Sequence, residues 1–234
     1  MNSHKKTARI VGLLFIIATV SSILATFGFL EPLLNTPDYL LDISENSTRL
    51  IVGVLIDAMN SAAVVAIAVM LFPILKKHHE ALAMGYVASR ILESMILVVG
   101  HISQLALVQL SREYVRTGSQ DASYFLPSGT LLQAASAWTF LLGPMIVLSL
   151  TALILNQILY QSRLVPRFIS AWGLIGAVFM FAAGLSGMFG RSPTSTLMIL
   201  LGLPLALNEM VLAVWLIVKG FNSSAIDSEF VQQT

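Results

Sequence analysis

Four ionisable side chains lie inside long apolar stretches of this sequence, and these are Asp57, Arg90, Glu93 and Glu209. A charged group in the interior of a bilayer costs about 2.5–3.5 kcal/mol even on the most lenient insertion scale, so such residues pair with one another or line a polar pathway. At a helical rise of about 1.5 Å per residue, each of them lies about 12–16 Å from one end of its stretch. All four therefore come near the same depth from three helices, and we predict one polar cluster at the membrane midplane.

Further polar residues accompany these four. One face of the helix around Arg90 carries residues at offsets of three or four, and these are Tyr86, Arg90, Glu93, Leu97, His101 and Gln104. Asn60 lies one helical turn after Asp57, and Asn208 adjoins Glu209. The candidate site for a ligand or for ion pairs therefore draws on three helices and comprises Asp57, Asn60, Arg90, Glu93, His101, Asn208 and Glu209.

The balance of charge in this cluster leaves two interpretations open. Three carboxylates face one guanidinium, and repulsion together with desolvation should keep at least one carboxyl protonated. In the leading interpretation the cluster lines a hydrated cavity that reaches Glu93 and binds or passes a small polar or amphiphilic ligand. In the second, the ion pairs only fix the rotation of the helices, and the protein is a structural or partner-binding membrane scaffold.

A third interpretation is an intramembrane enzyme that modifies lipid, with a carboxyl as general acid or base and His101 assisting. It requires His101 and a carboxyl within about one water molecule of each other. His101 is the one histidine inside an apolar stretch, and the sequence has no H-E-x-x-H motif, so we expect no metal site and no cofactor. A non-enzymatic protein is the leading interpretation, and the sequence leaves catalysis open.

Composition identifies the elements that must hold these side chains. The chain has 234 residues, of which 56% are hydrophobic and 11% are charged, whereas soluble domains carry about 25% charged residues. The absence of cysteine excludes disulfides and thiolate metal sites, and a net charge of +1 predicts no binding of nucleic acid. The chain is therefore expected to be a polytopic membrane protein, with the lipid bilayer as its partner.

Six apolar stretches are long enough to cross a bilayer, which takes about 20 helical residues. Stretches of this length without alternation form helices rather than barrel strands. We predict an all-α bundle of six transmembrane helices in one domain, residues 1–234, or seven helices if a long span is broken. The third and fourth stretches are long, and the fourth carries Gly143-Pro144 near its middle. The predicted spans are 9–30, 49–75, 82–110, 130–160, 168–189 and 196–219, with longer loops at 31–48 and 111–129.

Basic residues set the expected orientation. With six spans both termini share a side, and that side carries eight Lys and Arg residues against four on the other. The positive-inside rule then predicts cytoplasmic termini. The apolar run 10–30 is longer than the core of a signal peptide, about 7–15 residues, so we expect an uncleaved first helix.

Arg163 and Arg167 enclose a short loop on the predicted cytoplasmic side. They either contact anionic lipid headgroups or only follow the positive-inside rule. The next stretch carries Gly173 and Ala177, small residues four positions apart that favour close helix contact. That contact lies within the bundle or between two copies of the chain, so a homo-oligomer is also a prediction.

Three segments carry a resemblance to a known family. They are YVASRILESMILVVG at 86–100, SRLVPRFISAWGLIGA at 162–177 and LNEMVLAVWLIVKGF at 207–221. The chain resembles a bacterial membrane family, the domain of unknown function family 4386. The resemblance implies an integral membrane protein of six or seven helices, which we expect in the bacterial cytoplasmic (inner) membrane, and it assigns no activity. It also implies characteristic positions, which are Arg90, Glu93, Arg163, Pro166, Arg167, Trp172, Gly173 and Glu209.

Overall fold

The apolar stretches form helices because lipid offers no hydrogen-bond partner to the backbone, and a helix satisfies its own N–H and C=O groups. The computed structural model describes residues 3–118, 122–191, 195–222 and 224–225. Within these ranges six helical runs are long and apolar enough to cross a membrane. The prediction of an all-α membrane bundle with six spans is therefore confirmed.

The described ranges contain α-helices and two π-helical segments, which we name π1 and π2. In chain order the elements are α1 (Ser3–Ile23), π1 (Leu24–Leu30), α2 (Glu31–Leu34), α3 (Tyr39–Glu45), α4 (Ser47–Leu75), α5 (Glu80–Arg116), α6 (Ala122–Phe140), π2 (Leu141–Val147), α7 (Leu148–Ser162), α8 (Arg167–Met188) and α9 (Thr196–Val218). The first span joins α1, π1 and α2, and the fourth joins α6, π2 and α7.

A widened turn interrupts two of the spans. In π2 the ring of Pro144 removes a backbone donor, and the helix continues through a π-helical segment instead of breaking. The fourth stretch is therefore a single span, and the count is six rather than seven. The segment π1 widens the first span in the same way. Segments of this kind occur frequently at functional sites.

Some helices extend well beyond the predicted spans. The 37 residues of α5 make a helix about 55 Å long, whereas the hydrocarbon core of a bilayer is about 30 Å thick. Much of the predicted loop 111–129 is therefore helical, and the predicted loop 31–48 contains α2 and α3. Hydropathy indicates only the part of a helix that lies in lipid, so it predicts the polar ends of these helices as loops.

Two apolar cores lie toward opposite ends of the bundle. The core nearer the chain termini includes Phe15, Leu75 and Tyr86, and the core at the other end includes Ile43 and Leu107. Between these cores the buried residues of α4 and α5 are mostly polar. The fold therefore places the candidate residues in the middle of the bundle and away from lipid.

The glycines of α8 pack against helices of the same chain. A methyl group on Gly173 would overlap the side chain of Asn156 in α7. A methyl group on Gly176 would lie 2.9 Å from the backbone nitrogen of Leu205 in α9. Close approach of α7 and α9 thus requires small residues on this face of α8. Association of two copies stays a prediction.

Candidate functional site

Arg90 lies in the interior of the bundle with two carboxylates around its guanidinium. Its Nη1 donates to Glu93 Oε2 at 3.0 Å, within α5, and its Nη2 donates to Glu209 Oε1 at 3.5 Å, on α9. Arg90 is 2% exposed and Glu93 is 3% exposed. We call Arg90, Glu93 and Glu209 the arginine cluster. It ties α9 to α5, because separating the partners would leave a buried charge without compensation.

Two polar neighbours of this cluster differ in their roles. The guanidinium carbon of Arg90 lies 5.7 Å from the ring centroid of Tyr86, which is within the range of a cation–π interaction. Asn208 adjoins Glu209 in sequence but donates to the backbone oxygen of Ile169 at 2.7 Å. Asn208 therefore joins α9 to α8 and takes no part in the arginine cluster.

A cavity of about 220 Å³, which we call the arginine cavity, adjoins the arginine cluster. Asn60, Glu93 and Glu209 form part of its wall, and most of the remaining wall is apolar. The first span contributes Thr19 and Ser22. The leading interpretation required a cavity that reaches Glu93, and the arginine cavity meets that geometric requirement.

Asp57 lies apart from the arginine cluster and pairs with His101. Nε2 of His101 is 2.9 Å from Oδ2 of Asp57, so the pair joins α5 to α4. Both residues are more than nine-tenths buried. The second carboxylate oxygen, Oδ1, has no hydrogen-bond partner within the described part of the chain. The Asp57–His101 pair is thus a second buried polar group, and one of its acceptors is unused.

A larger cavity, which we call the polar cavity, lies beside this pair and has a volume of about 770 Å³. It extends from Glu31 and Asn35, near the end of the bundle opposite the termini, to Asp57 and His101 in the middle. Polar side chains are distributed along an otherwise apolar wall, namely Thr26, Glu31, Asn35, Asp57, His101, Gln104, Thr130, Gln133, Ser136 and Thr139. A cavity with this wall suits a polar molecule.

Gln104 adds a second unused acceptor to the wall of the polar cavity. Its Nε2 donates to Ser136 Oγ at 3.0 Å, between α5 and α6. Its Oε1, like Oδ1 of Asp57, has no hydrogen-bond partner in the described ranges. A buried polar atom without a partner costs about 1–3 kcal/mol. A molecule that donates N–H or O–H groups to these two residues would remove that cost.

The polar cavity and the arginine cavity share two wall residues, Thr26 in π1 and Phe140 at the end of α6. Leu97 lies between Glu93 and His101 on the same face of α5, and it lines the polar cavity. A thin wall next to the two π-helical segments therefore separates the cavities.

The predicted single cluster is divided into two groups in the structure. Arg90, Glu93 and Glu209 come together, whereas Asp57 pairs with His101. The predicted depth of each residue in the membrane already indicates this division. Counted from the same side, Asp57 and His101 lie about 12 Å and 14 Å inside their predicted spans, and Arg90 lies about 12 Å from the opposite side. Sequence reasoning also missed Glu31 and Asn35, because both were assigned to a loop.

A third cavity, which we call the basic cleft, lies at the end of the bundle that carries the termini. Its volume is about 510 Å³. Arg163 and Arg167 line it, as does Lys219 at the end of α9. Arg163 and Arg167 were candidates from the sequence, but Lys219 was not, because only the fold brings it beside them.

Metal binding finds no support in the described residues. Among residues 3–118, 122–191, 195–222 and 224–225, no group of three His, Asp or Glu side chains could hold a metal ion. The buried ionisable residues instead form the two separate groups described above.

The fold and these cavities define a class of protein, namely a six-span helical membrane protein with polar groups buried in the middle of its bundle. Residues 10–220 match the family described as Domain of unknown function (DUF4386). Because the match covers most of the chain, the protein belongs to this family, and the resemblance of its three segments is confirmed. Comparison with curated proteins and with solved structures gave no match.

Proposed function

We propose that this protein binds a small polar or amphiphilic molecule in the polar cavity. The observation that carries the proposal is a cavity of about 770 Å³ whose buried residues Asp57 and Gln104 each have an acceptor without a donor. A scaffold with no ligand would gain stability from filling that volume with apolar side chains. The polar wall is therefore better explained by a ligand than by packing.

The wall of the polar cavity favours a ligand that carries donors and positive charge. Asp57 and Glu31 contribute carboxylates, and the described residues that line the cavity include no Lys or Arg. The unused atoms of Asp57 and Gln104 are acceptors. An amine or a polyhydroxyl compound complements this wall, whereas an anion would meet repulsion in a medium of low dielectric.

An amphiphilic ligand could extend into the arginine cavity. Thr26 and Phe140 border both cavities, and the wall of the arginine cavity is mostly apolar. A ligand with a donor-bearing head in the polar cavity would place an apolar part against Phe15 and Met145. Movement of such a ligand past Thr26 and Phe140 would be the passing step of the leading interpretation.

Thiol labelling provides the test, because the sequence contains no cysteine and each introduced thiol is unique. Ala134→Cys places a thiol in the wall of the polar cavity. Leu131→Cys is the matched control on the same helix, since Leu131 is 71% exposed on the outer surface of the bundle. The reagents are a cationic and an anionic methanethiosulfonate. The labelling rate of each reagent is divided by the rate at which the same reagent reacts with a free thiol in solution.

We expect A134C to react faster than L131C, and to react preferentially with the cationic reagent. D57N in the A134C background should reduce that preference, because it removes a carboxylate from the wall. Spermidine should slow the reaction more than sorbitol does, and gluconate should not slow it. Equal, slow labelling at both positions would show that the cavity admits no solute, and the proposal would then fail in favour of the scaffold.

A second candidate function, an intramembrane enzyme acting on lipid, is favoured by one observation. The 2.9 Å contact between His101 Nε2 and Asp57 Oδ2 meets the requirement that His101 lie close to a carboxyl. An imidazole oriented by a carboxylate is a common general base. Ser136 and Thr139 supply hydroxyls to the same cavity.

Turnover separates the enzyme from the binding protein. The protein would be incubated in vesicles of phosphatidylglycerol and phosphatidylethanolamine, and the lipid masses measured over time. The enzyme interpretation requires a mass change that both H101Q and D57N abolish. Unchanged lipid masses, together with selective labelling of A134C, would support binding alone.

The proposal includes a location and an orientation. The excess of basic residues on the side of the termini supports cytoplasmic termini in a bacterial inner membrane. In that orientation the polar cavity opens away from the cytoplasm. A reporter fused after Thr234 that is active only outside the cytoplasm should be inactive, and activity would reverse the orientation.

A further inference from the structure

The basic cleft gathers three cations from two parts of the chain. Arg163 follows α7, Arg167 is the first residue of α8, and Lys219 follows α9. Gly220 has a φ of +76°, which turns the chain back after α9. The backbone N–H of Asn222 then donates to the carbonyl oxygen of Leu164 at 2.9 Å. This contact holds the end of α9 against the segment that contains Arg163 and Arg167. The fold itself therefore brings the three cations to one cavity.

These cations have no carboxylate partner within the described part of the chain. The ion pairs found there involve other residues, and the described lining of the cleft contains no Asp or Glu. The guanidinium carbon of Arg167 lies 5.2 Å from the ring centroid of Tyr160, a contact that orients the cation without neutralising it. The cleft is therefore a concave site of net positive charge.

The positive-inside rule requires basic residues on this side of a membrane, but it does not require them to line one cavity. Lys76 illustrates the difference, because it lies on the same side but outside the basic cleft. We propose that the basic cleft binds a phosphate group, with Arg163, Arg167 and Lys219 as its ligands. Arginine donates two parallel hydrogen bonds to phosphate oxygens, and lysine contributes a point charge.

Two sources could supply that phosphate, namely the headgroup of an anionic lipid or a soluble phosphate. Trp215 and Phe221 give the cleft an apolar wall beside its cations. A headgroup with its first acyl carbons would contact both the cations and this wall, whereas inorganic phosphate would use the cations alone. The two sources share the same chemistry, and separate arms of one experiment distinguish them.

The test uses the full-length protein in a neutral detergent. In the first arm, native mass spectrometry measures retention of phosphatidylglycerol against phosphatidylcholine. In the second arm, thermal unfolding is followed with sodium phosphate or sodium chloride at equal ionic strength. The variants are R163Q/R167Q/K219Q, the single variant K219Q at an exposed helix end, and the matched control K76Q, which removes one exposed cation on the same side.

A cation that contacts the bound headgroup contributes about a fivefold change in affinity, and a cation outside the cleft makes no such contact. K219Q should therefore lower retention of phosphatidylglycerol about fivefold and the triple variant more than about tenfold, while K76Q leaves it unchanged. Retention of the lipid identifies a headgroup site. Stabilisation by phosphate without selective retention of lipid identifies a soluble phosphate. K219Q also keeps the test decisive if the triple variant fails to fold.

Two results would overturn the proposal. One is an equal loss in K76Q and K219Q, because attraction would then come from the whole basic face rather than from the cleft. The other is no binding in either arm.

Discussion

The same helical bundle contains two groups of buried ionisable residues, and their surroundings differ. In the arginine cluster a guanidinium is shared between two carboxylates, beside a small cavity with mostly apolar walls. In the Asp57–His101 pair a carboxylate meets an imidazole, beside a large cavity to which many polar side chains contribute. Both groups give the same signal in the sequence, a charge inside an apolar stretch. Each group also keeps a buried atom without a hydrogen-bond partner in the described residues, Arg90 Nε in one and Asp57 Oδ1 in the other, so their surroundings differ mainly in the size and polarity of the adjoining cavity.

We propose that the first group has a structural role and that the second belongs to a binding site. Arg90 is compensated by Glu93 and Glu209, and removing Arg90 leaves two buried carboxylates without a cation. Asp57 and Gln104 retain acceptors without donors in the described residues, and both line a cavity that can hold a ligand. We infer that the arginine cluster stabilises the bundle around a site built on Asp57 and His101.

The largest expected effect comes from Arg90→Met. It leaves Glu93 and Glu209 buried without a cation, and breaking a buried pair by removing one partner costs about 3–5 kcal/mol. Unfolding in a detergent titration would measure the loss. The variant R90M/E93M/E209M should recover most of it, because no uncompensated charge remains. A loss of the same size in the triple variant would show that shape and not charge holds this region.

A smaller effect on stability is expected for Asp57→Asn. The amide keeps an acceptor for His101 but loses the charge, and a charged hydrogen bond is stronger than a neutral one by about 1 kcal/mol. The cation preference of A134C labelling should fall at the same time. If D57N destabilises the protein as much as R90M and leaves labelling unchanged, then both regions are structural and the comparison fails.

Phe140→Leu tests whether the two cavities are separate. The smaller side chain thins the wall that Phe140 forms with Thr26. A thiol at Ser22, in the wall of the arginine cavity, should be labelled slowly with Phe140 in place and several times faster in the variant. Fast labelling of S22C with Phe140 present would mean that the cavities are already continuous.

The smallest effect is expected for Arg116→Gln. Arg116 and Glu113 form an ion pair three residues apart on α5, like Arg90 and Glu93, but their side chains are 76% and 39% exposed. Solvent screens such pairs, which contribute about 0–1 kcal/mol. The same unfolding titration should therefore place R116Q close to the unmodified protein. A loss comparable to that of R90M would contradict the role assigned to burial.

Much of the fold follows from local rules that the sequence carries. The positions of the six spans follow from the length of the apolar stretches, and the polar face through Arg90 and His101 follows from helical periodicity. The extension of α5 to Arg116 does not, because a helix that leaves the lipid no longer needs apolar side chains. The continuity of the fourth span through Pro144 does not follow from local rules either. Pro144 lacks a backbone N–H, and both a π-helical turn and a break in the helix can accommodate that loss.

The sequence predicts which residues belong to the candidate site better than it predicts which of them pair with each other. Helical spacing placed Glu93 beside Arg90, and the structure has that pair. Assigning Asp57 to the same cluster required knowing which helix lies opposite each face of α5, and the sequence does not encode that locally. Asp57 and His101 are 44 positions apart and meet because α4 and α5 run antiparallel with those residues at one depth.

The sequence by itself determined the class of this protein, its six spans and the residues that are too polar for the lipid. These depend on the free energy of transfer of single side chains and on the period of one helix, which are local quantities. Only the tertiary structure decided that Asp57 pairs with His101, that Asn208 bonds to the backbone, and that Lys219 joins Arg163 and Arg167. These pairings depend on how helices rotate and pack against each other, because partners distant in the chain share a cavity only once the bundle has formed.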